Sequence, residues 1–119
     1  MYTGAKAIAL IQNEFPLLCA NTSRKSEPVR LFQLMQRLAD YAKEQLADYN
    51  DEELEHCFEI ANEIYASDDK LARIAICTVF VQSVSRKLEM SLSVSARARK
   101  LFLKFFKKQY EDLIESKYP

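Results

Sequence analysis

At 119 residues, 49% hydrophobic and 29% charged, the chain is long enough to bury one core and too apolar for disorder. Seventeen basic and seventeen acidic residues leave no net charge, which excludes the overall basicity common in nucleic-acid-binding domains. One glycine and three prolines argue against hairpins and bulges, and no apolar stretch approaches the roughly 20 residues of a membrane span.

Residues 3–19 place Ile8, Ile11, Phe15 and Leu18 at helical spacing, and Pro16 should break that helix near Phe15. Residues 21–27 are polar and read as a loop. Ser26-Glu27-Pro28 reads as a helix start, with serine at the N-cap and proline in the first turn. The second helix carries Leu31, Leu34, Met35, Leu38, Tyr41, Ala42, Leu46 and Tyr49 as one apolar stripe.

Asn50-Asp51-Glu52-Glu53 has the form of a capping box, Asn50 as N-cap and Glu53 at its third helical position. The third helix should bury Leu54, Cys57, Phe58, Ala61, Ile64 and Tyr65. Ser67-Asp68-Asp69 ends it and supplies the next cap. A fourth helix over residues 69–90 contains Ile74-Ala75-Ile76-Cys77-Thr78-Val79-Phe80-Val81, apolar on every side and so expected to be buried. Its period should run through Leu71, Ile74, Val81, Val84 and Leu88. Residues 91–95 offer several N-caps. A last helix over residues 94–116 should turn Ala98, Leu101, Phe102, Phe105, Phe106, Tyr110, Leu113 and Ile114 wholly or partly inward. The expectation is an all-α single domain, residues 1–119, of about five helices in an antiparallel or superhelical bundle with the fourth helix near its centre.

The neutral total hides a sorting of charge. Residues 40–69 hold eleven acidic side chains and one basic, Lys43, whereas residues 70–119 hold eleven basic and four acidic. Glu52, Glu55, Glu59 and Glu63 step along one side of the third helix, flanking its apolar stripe. Asp40, Glu44 and Asp48 step by four along the second, and a hairpin at Asn50 would bring the two rows toward one negative patch. Like charges at that spacing repel, a cost that a basic partner would offset. Arg97, Lys100, Lys104, Lys107 and Lys108 form the matching basic stripe of the last helix. That stripe could contact phosphates, or it could pack against the acidic third helix, within one chain or across a dimer.

Catalytic and metal chemistry find little to use. His56 is the only histidine, which rules out a two-histidine metal site, and it is expected at the surface of the third helix. Glu53 and His56 form a single Glu-x-x-His spacing with no second copy, and Glu53 is expected to serve as a cap. Gly4 alone cannot build a phosphate loop. Cys19, Cys57 and Cys77 have no CxxC pairing and read as buried free thiols of a reducing compartment. The N-terminal run is too short and too helix-periodic for a signal peptide, so a cytoplasmic location is expected. No cofactor and no metal are expected.

Phe15-Pro16 after a short helix, a helix over residues 34–46, the segment 51–65, Ser67-Asp68-Asp69 and the long apolar helix 71–84 occur here in one order. In that order the chain resembles uncharacterised small all-helical bacterial proteins of immunity type. The resemblance implies a protein that neutralises a toxin. It carries over no functional residue.

The expected function is therefore a non-enzymatic protein-binding module in which Asp48, Glu52, Glu55, Glu59 and Glu63 meet a basic surface, such as that of a toxin. The alternatives are a nucleic-acid-associated regulator acting through Arg97, Lys100, Lys104 and Lys107, and a homodimer or larger homo-oligomer whose acidic and basic faces pair between subunits.

Overall fold

The computed structural model describes residues 4–19, 26–90 and 96–117. Among these, every regular element is helical: α1 (Ala5–Glu14), a 3-10 turn (Pro16–Cys19), α2 (Glu27–Ala47), α3 (Asp51–Tyr65), α4 (Lys70–Ala75), a π-helical segment (Ile76–Val81), α5 (Gln82–Met90) and α6 (Ala96–Lys117). Ala75, Ile76 and Gln82 keep right-handed helical dihedrals, so α4, the π segment and α5 form one continuous rod. The all-α single domain of five rods is what the sequence predicts. Most of the polar loop at 21–27 and the caps proposed at 91–95 lie outside the described residues.

Local chemistry sets the boundaries. Gly4 holds φ 71° at the start of α1, and a Cβ there would stand 2.6 Å from Leu31 Cδ2, so only glycine fits. Phe15 leaves the helix at φ −135°, ψ 66°, because the residue before a proline is pushed out of the α region. Its ring stays buried. Ser26 holds the N-cap position of α2 but makes no side-chain cap bond.

The turn from α2 to α3 needs one left-handed residue, and Tyr49 supplies it at φ 57°. The ring swings outward and is 57% exposed, so the second-helix stripe ends at Leu46 rather than at Tyr49. Asn50 Oδ1 then accepts the Glu53 amide at 3.4 Å, and Asp69 Oδ1 accepts the Ala72 amide at 3.2 Å. The reciprocal half of the capping box does not form. The Asn50 amide bonds Gln45 O, which frees the Glu53 carboxylate for other partners.

The π segment follows from a spacing in the sequence. Ala72, Ile76, Phe80 and Val84 are fully buried and Leu88 nearly so, in strict steps of four. An α-helix turns about 100° per residue, so each step of four would carry the stripe about 40° further around the rod. Hydrogen bonds from i to i+5 unwind the rod locally and return the stripe to the core. The same register exposes Ile74 by 44%, correcting the expectation of burial on every side. Cys77 and Val79 are half-buried.

Phe58 of α3 is the hub of the core. Its ring meets Phe80 at 6.1 Å and 89°, and Phe106 at 5.6 Å and 88°. Phe102 and Phe105 close the cluster at 5.9 and 6.3 Å. Edge-to-face rings add about 0.5–1.5 kcal/mol per pair beyond the area they bury. α6 breaks helical geometry at Phe106 (φ −130°, ψ 23°), whose ring is fully buried against Phe58, Phe80 and Phe102. Ile114, expected inward, is exposed beyond that break.

Phe58→Ala should cost about 3–5 kcal/mol in denaturant unfolding, a large share of a small domain's stability. Ile76→Gln should destabilise strongly, while Ile74→Gln should change stability by under about 1 kcal/mol. Equal losses at 74 and 76 would contradict the π register.

Candidate protein-binding surface

α3 has four sides, each in a different environment. Its core edge carries Leu54, Cys57, Phe58, Ala61 and Ile64, all buried. A second edge faces α6. There Arg97 Nε lies 4.0 Å from Asp51 Oδ2, and Lys104 Nζ lies 3.7 Å from Glu55 Oε2. Phe58 meets Phe102, Phe105 and Phe106, and Tyr65 shares a cleft with Gln109 and Asp112. The pairings ascend together along both helices, so α3 and α6 run side by side in the same direction.

A helix that carries carboxylates at 51 and 55 thus lies along one that carries cations at 97 and 104. Part of the charge sorting is therefore internal architecture. Glu55 is half-buried in this seam, as is Asp51. Arg97 and Lys104 of the predicted basic stripe are turned toward it, while Lys100, Lys107 and Lys108 are exposed and make no ion pair among the described residues.

The third edge is the crest of α3. Glu52, Glu59 and Glu63 are exposed there, within about 40° of one another around the helix axis, and none has an ion-pair partner among the described residues. Asp48, also exposed, stands at the C-cap of α2, just before the turn into α3. On α2, Asp40 accepts from Gln36 Nε2 at 3.0 Å and pairs with Lys43 at 3.2 Å.

The flank toward α1 and α2 is polar and closed. His56 is a third exposed, and both ring nitrogens face carboxylates: Nε2 lies 2.9 Å from Glu14 Oε1, and Nδ1 lies 3.4 Å from Glu53 Oε1. Tyr41 donates its hydroxyl to the same Glu53 oxygen at 3.1 Å. Phe15 covers the group, 4.7 Å from the imidazole and 5.6 Å from the Tyr41 ring. The hydrogen bond to Glu14 is the main cause that raises the His56 pKa above its ordinary value, with burial opposing it and Glu53 adding to it. Burial and donation to Glu53 push the Tyr41 hydroxyl up to about 12. The expected surface histidine is thus a bridging residue, and the expected Glu53 cap is its partner. The signal was present in the sequence as the Glu53–His56 spacing, but Glu14 and Tyr41 come from elements that spacing cannot see.

The clefts lie elsewhere. One of about 200 Å³ between α5 and α6 is lined by Ser85, Leu88, Glu89, Arg99, Phe102, Leu103 and Tyr110. Another of about 250 Å³ lies over the π segment, beside Tyr65, Cys77, Thr78 and Asp112. Among the described residues, no three His, Cys, Asp or Glu side chains converge as metal ligands would. None of the three cysteines is in a disulfide; Cys57 is buried as expected, whereas Cys19 and Cys77 are half-buried. Burial pushes the Cys57 thiol up to about 12, which keeps it a neutral packing group. No helix of the described residues is long and apolar enough to cross a membrane.

A family model covers residues 8–118, from the middle of α1 through the end of α6. The chain belongs to the family described as Domain of unknown function (DUF7674). The family match therefore spans the seam, the crest and the histidine bridge together. No curated protein and no solved structure matches the chain.

The seam pairs are partly solvated, and exposed pairs of this kind contribute about 0.2–1 kcal/mol. A Glu55→Gln, Lys104→Met double-mutant cycle should give a coupling in that range. It should shrink in high salt, measured by chemical unfolding.

Proposed function

We propose that the chain is a non-enzymatic protein-binding module whose acidic crest on α3 recognises a basic protein surface, in the manner of an immunity-type inhibitor occluding a basic toxin. The observation that carries this reading is the crest itself. Asp51 and Glu55 take up Arg97 and Lys104, and Glu52, Glu59 and Glu63 remain exposed with no cation paired to them among the described residues. Asp48 stands exposed in the turn that leads into α3, and Glu55 lies at the seam beside the crest. Glu59 and Glu63, one turn apart, repel each other by a few tenths of a kcal/mol, and a cationic partner would turn that cost into attraction.

A binding role also accounts for the chemistry around His56. Its two nitrogens are taken by carboxylates, an arrangement that holds a proton in place rather than passing it to a nucleophile. Free thiols fit a reducing bacterial cytoplasm.

A second reading rests on Lys100, Lys107 and Lys108, which stand exposed on α6. They could contact phosphates, with Arg97 and Lys104 contributing from the seam. The carboxylates of α3 run alongside, which disfavours a polyanion. The two open rows could also pair between copies of the chain.

The test is affinity capture from the native cell with three baits: the natural chain, Glu59→Lys/Glu63→Lys and Lys100→Glu/Lys107→Glu. Loss of partners with the first variant alone supports the acidic crest, and association with the captured protein should then slow as salt rises. Capture unchanged by reversing Glu59 and Glu63 sinks the reading. Binding of generic duplex DNA or RNA at low ionic strength, abolished by the lysine reversal, would favour the alternative. Light scattering across a salt series decides self-association.

A further inference from the structure

We propose that Glu14, His56 and Glu53 form a proton-operated latch that fastens α1 to the rest of the domain. The geometry carries it. Glu14 is the last residue of α1, and its carboxylate meets His56 Nε2 at 2.9 Å across 42 positions of sequence. Glu53 faces the other ring nitrogen at 3.4 Å. A neutral imidazole has one N–H and can donate to only one of these carboxylates. The imidazolium has two and can donate to both.

The charged and polar groups around the ring favour its charged form, and burial opposes them. From α1 comes Glu14. From α2 come Tyr41, whose hydroxyl is committed to Glu53, and Glu44, close enough to act on the Tyr41 hydroxyl. From α3 itself come Glu53 and, one turn before and after His56 along its own helix, Glu52 and Glu59. Phe15 packs on the imidazole and limits water access. None of these groups is cationic.

The sign follows from the raised pKa. A histidine whose folded pKa lies above its unfolded value contributes stability that is fully present below about pH 6.5 and is lost as pH rises through the folded pKa. Above that point His56 is neutral, faces two carboxylates and holds one hydrogen bond at most. α1 is a helix of ten residues, with Ala7, Ile8 and Ile11 buried. Too short to persist alone, it is held by those contacts and by its C-terminal latch. Deprotonation therefore loosens α1 first, and it also removes a positive charge from the flank of the acidic crest. The latch stands independently of the function proposed above.

With a single histidine the imidazole Hε1 and Hδ2 resonances belong to one ring, so the proton can be followed without assignment ambiguity. NMR titration of the intact chain from about pH 6 to about pH 9 should show a midpoint above the ordinary value of about 6.5. Glu14→Gln should lower it. Amide exchange protection in residues 5–14, corrected for intrinsic rate, should fall roughly two- to fivefold through the same midpoint, the range expected of a partly exposed ion pair. Protection across Phe58 and its neighbours should hold. His56→Lys, which keeps a charge over this range, should leave α1 protection flat with pH. A midpoint at or below the ordinary value, or α1 protection that ignores the histidine titration, overturns the latch.

Discussion

Phe58 is the constraint on which the rest of the molecule depends. Its ring lies where α3, the π segment and α6 meet, and it takes edge contacts from Phe80, Phe102 and Phe106 at 5.6–6.1 Å. That packing fixes the rotation of α3 about its own axis. Once Phe58 points into the core, Asp51 and Glu55 must lie toward α6, His56 must lie toward α1, and Glu52, Glu59 and Glu63 must crest between them. Two unusual backbone features serve the same hub. The π segment keeps Phe80 on the buried stripe, and the break at Phe106 lets that ring turn inward.

The charge sorting along the chain acquires a spatial meaning from the direction of α6. A last helix running opposite to α3 would have placed Arg97 against the far end of α3, near Tyr65. Running in the same direction, it places Arg97 at Asp51 and Lys104 at Glu55. The net effect on stability is small, because these pairs are long and partly solvated. Their larger effect is selective: they give Arg97 and Lys104 carboxylate neighbours within the chain. Lys100, Lys107 and Lys108 are exposed and have no ion pair among the described residues.

Much of the fold was legible in the sequence because helical period, capping residues and proline position are local signals. Asn50 and Asp69 cap α3 and α4 as their side chains suggest, and Pro16 ends α1 through its effect on Phe15. What was not legible depended on partners distant in sequence or on backbone geometry that residue type does not announce. Tyr49 takes a left-handed conformation usually reserved for glycine or asparagine. Ile74 belongs to an apolar run yet faces solvent, because the four-residue stripe of Ala72, Ile76, Phe80 and Val84 claims the core. The crest residues were visible as a row. That Glu55 leaves the row for Lys104 needed the position of α6, and that His56 bridges two carboxylates needed the end of α1.

The two edges of α3 place the crest under two different kinds of control. On the α6 side, Glu55 pairs with the Lys104 ammonium, an interaction that salt screens. On the α1 side, the compensating charge belongs to an imidazole, which a modest rise in pH removes. Between them, Glu52, Glu59 and Glu63 have no cation of their own among the described residues. The field over the crest is therefore set by its neighbours. It is most negative when His56 is neutral, which is also when α1 is held least firmly. A cation arriving along the crest under those conditions meets the strongest attraction and the least ordered flank. By linkage, a bound cation would lower the proton affinity of His56 through charge repulsion. The crest and the latch are thus coupled through the same few ångströms of α3, and neither can be altered without some effect on the other.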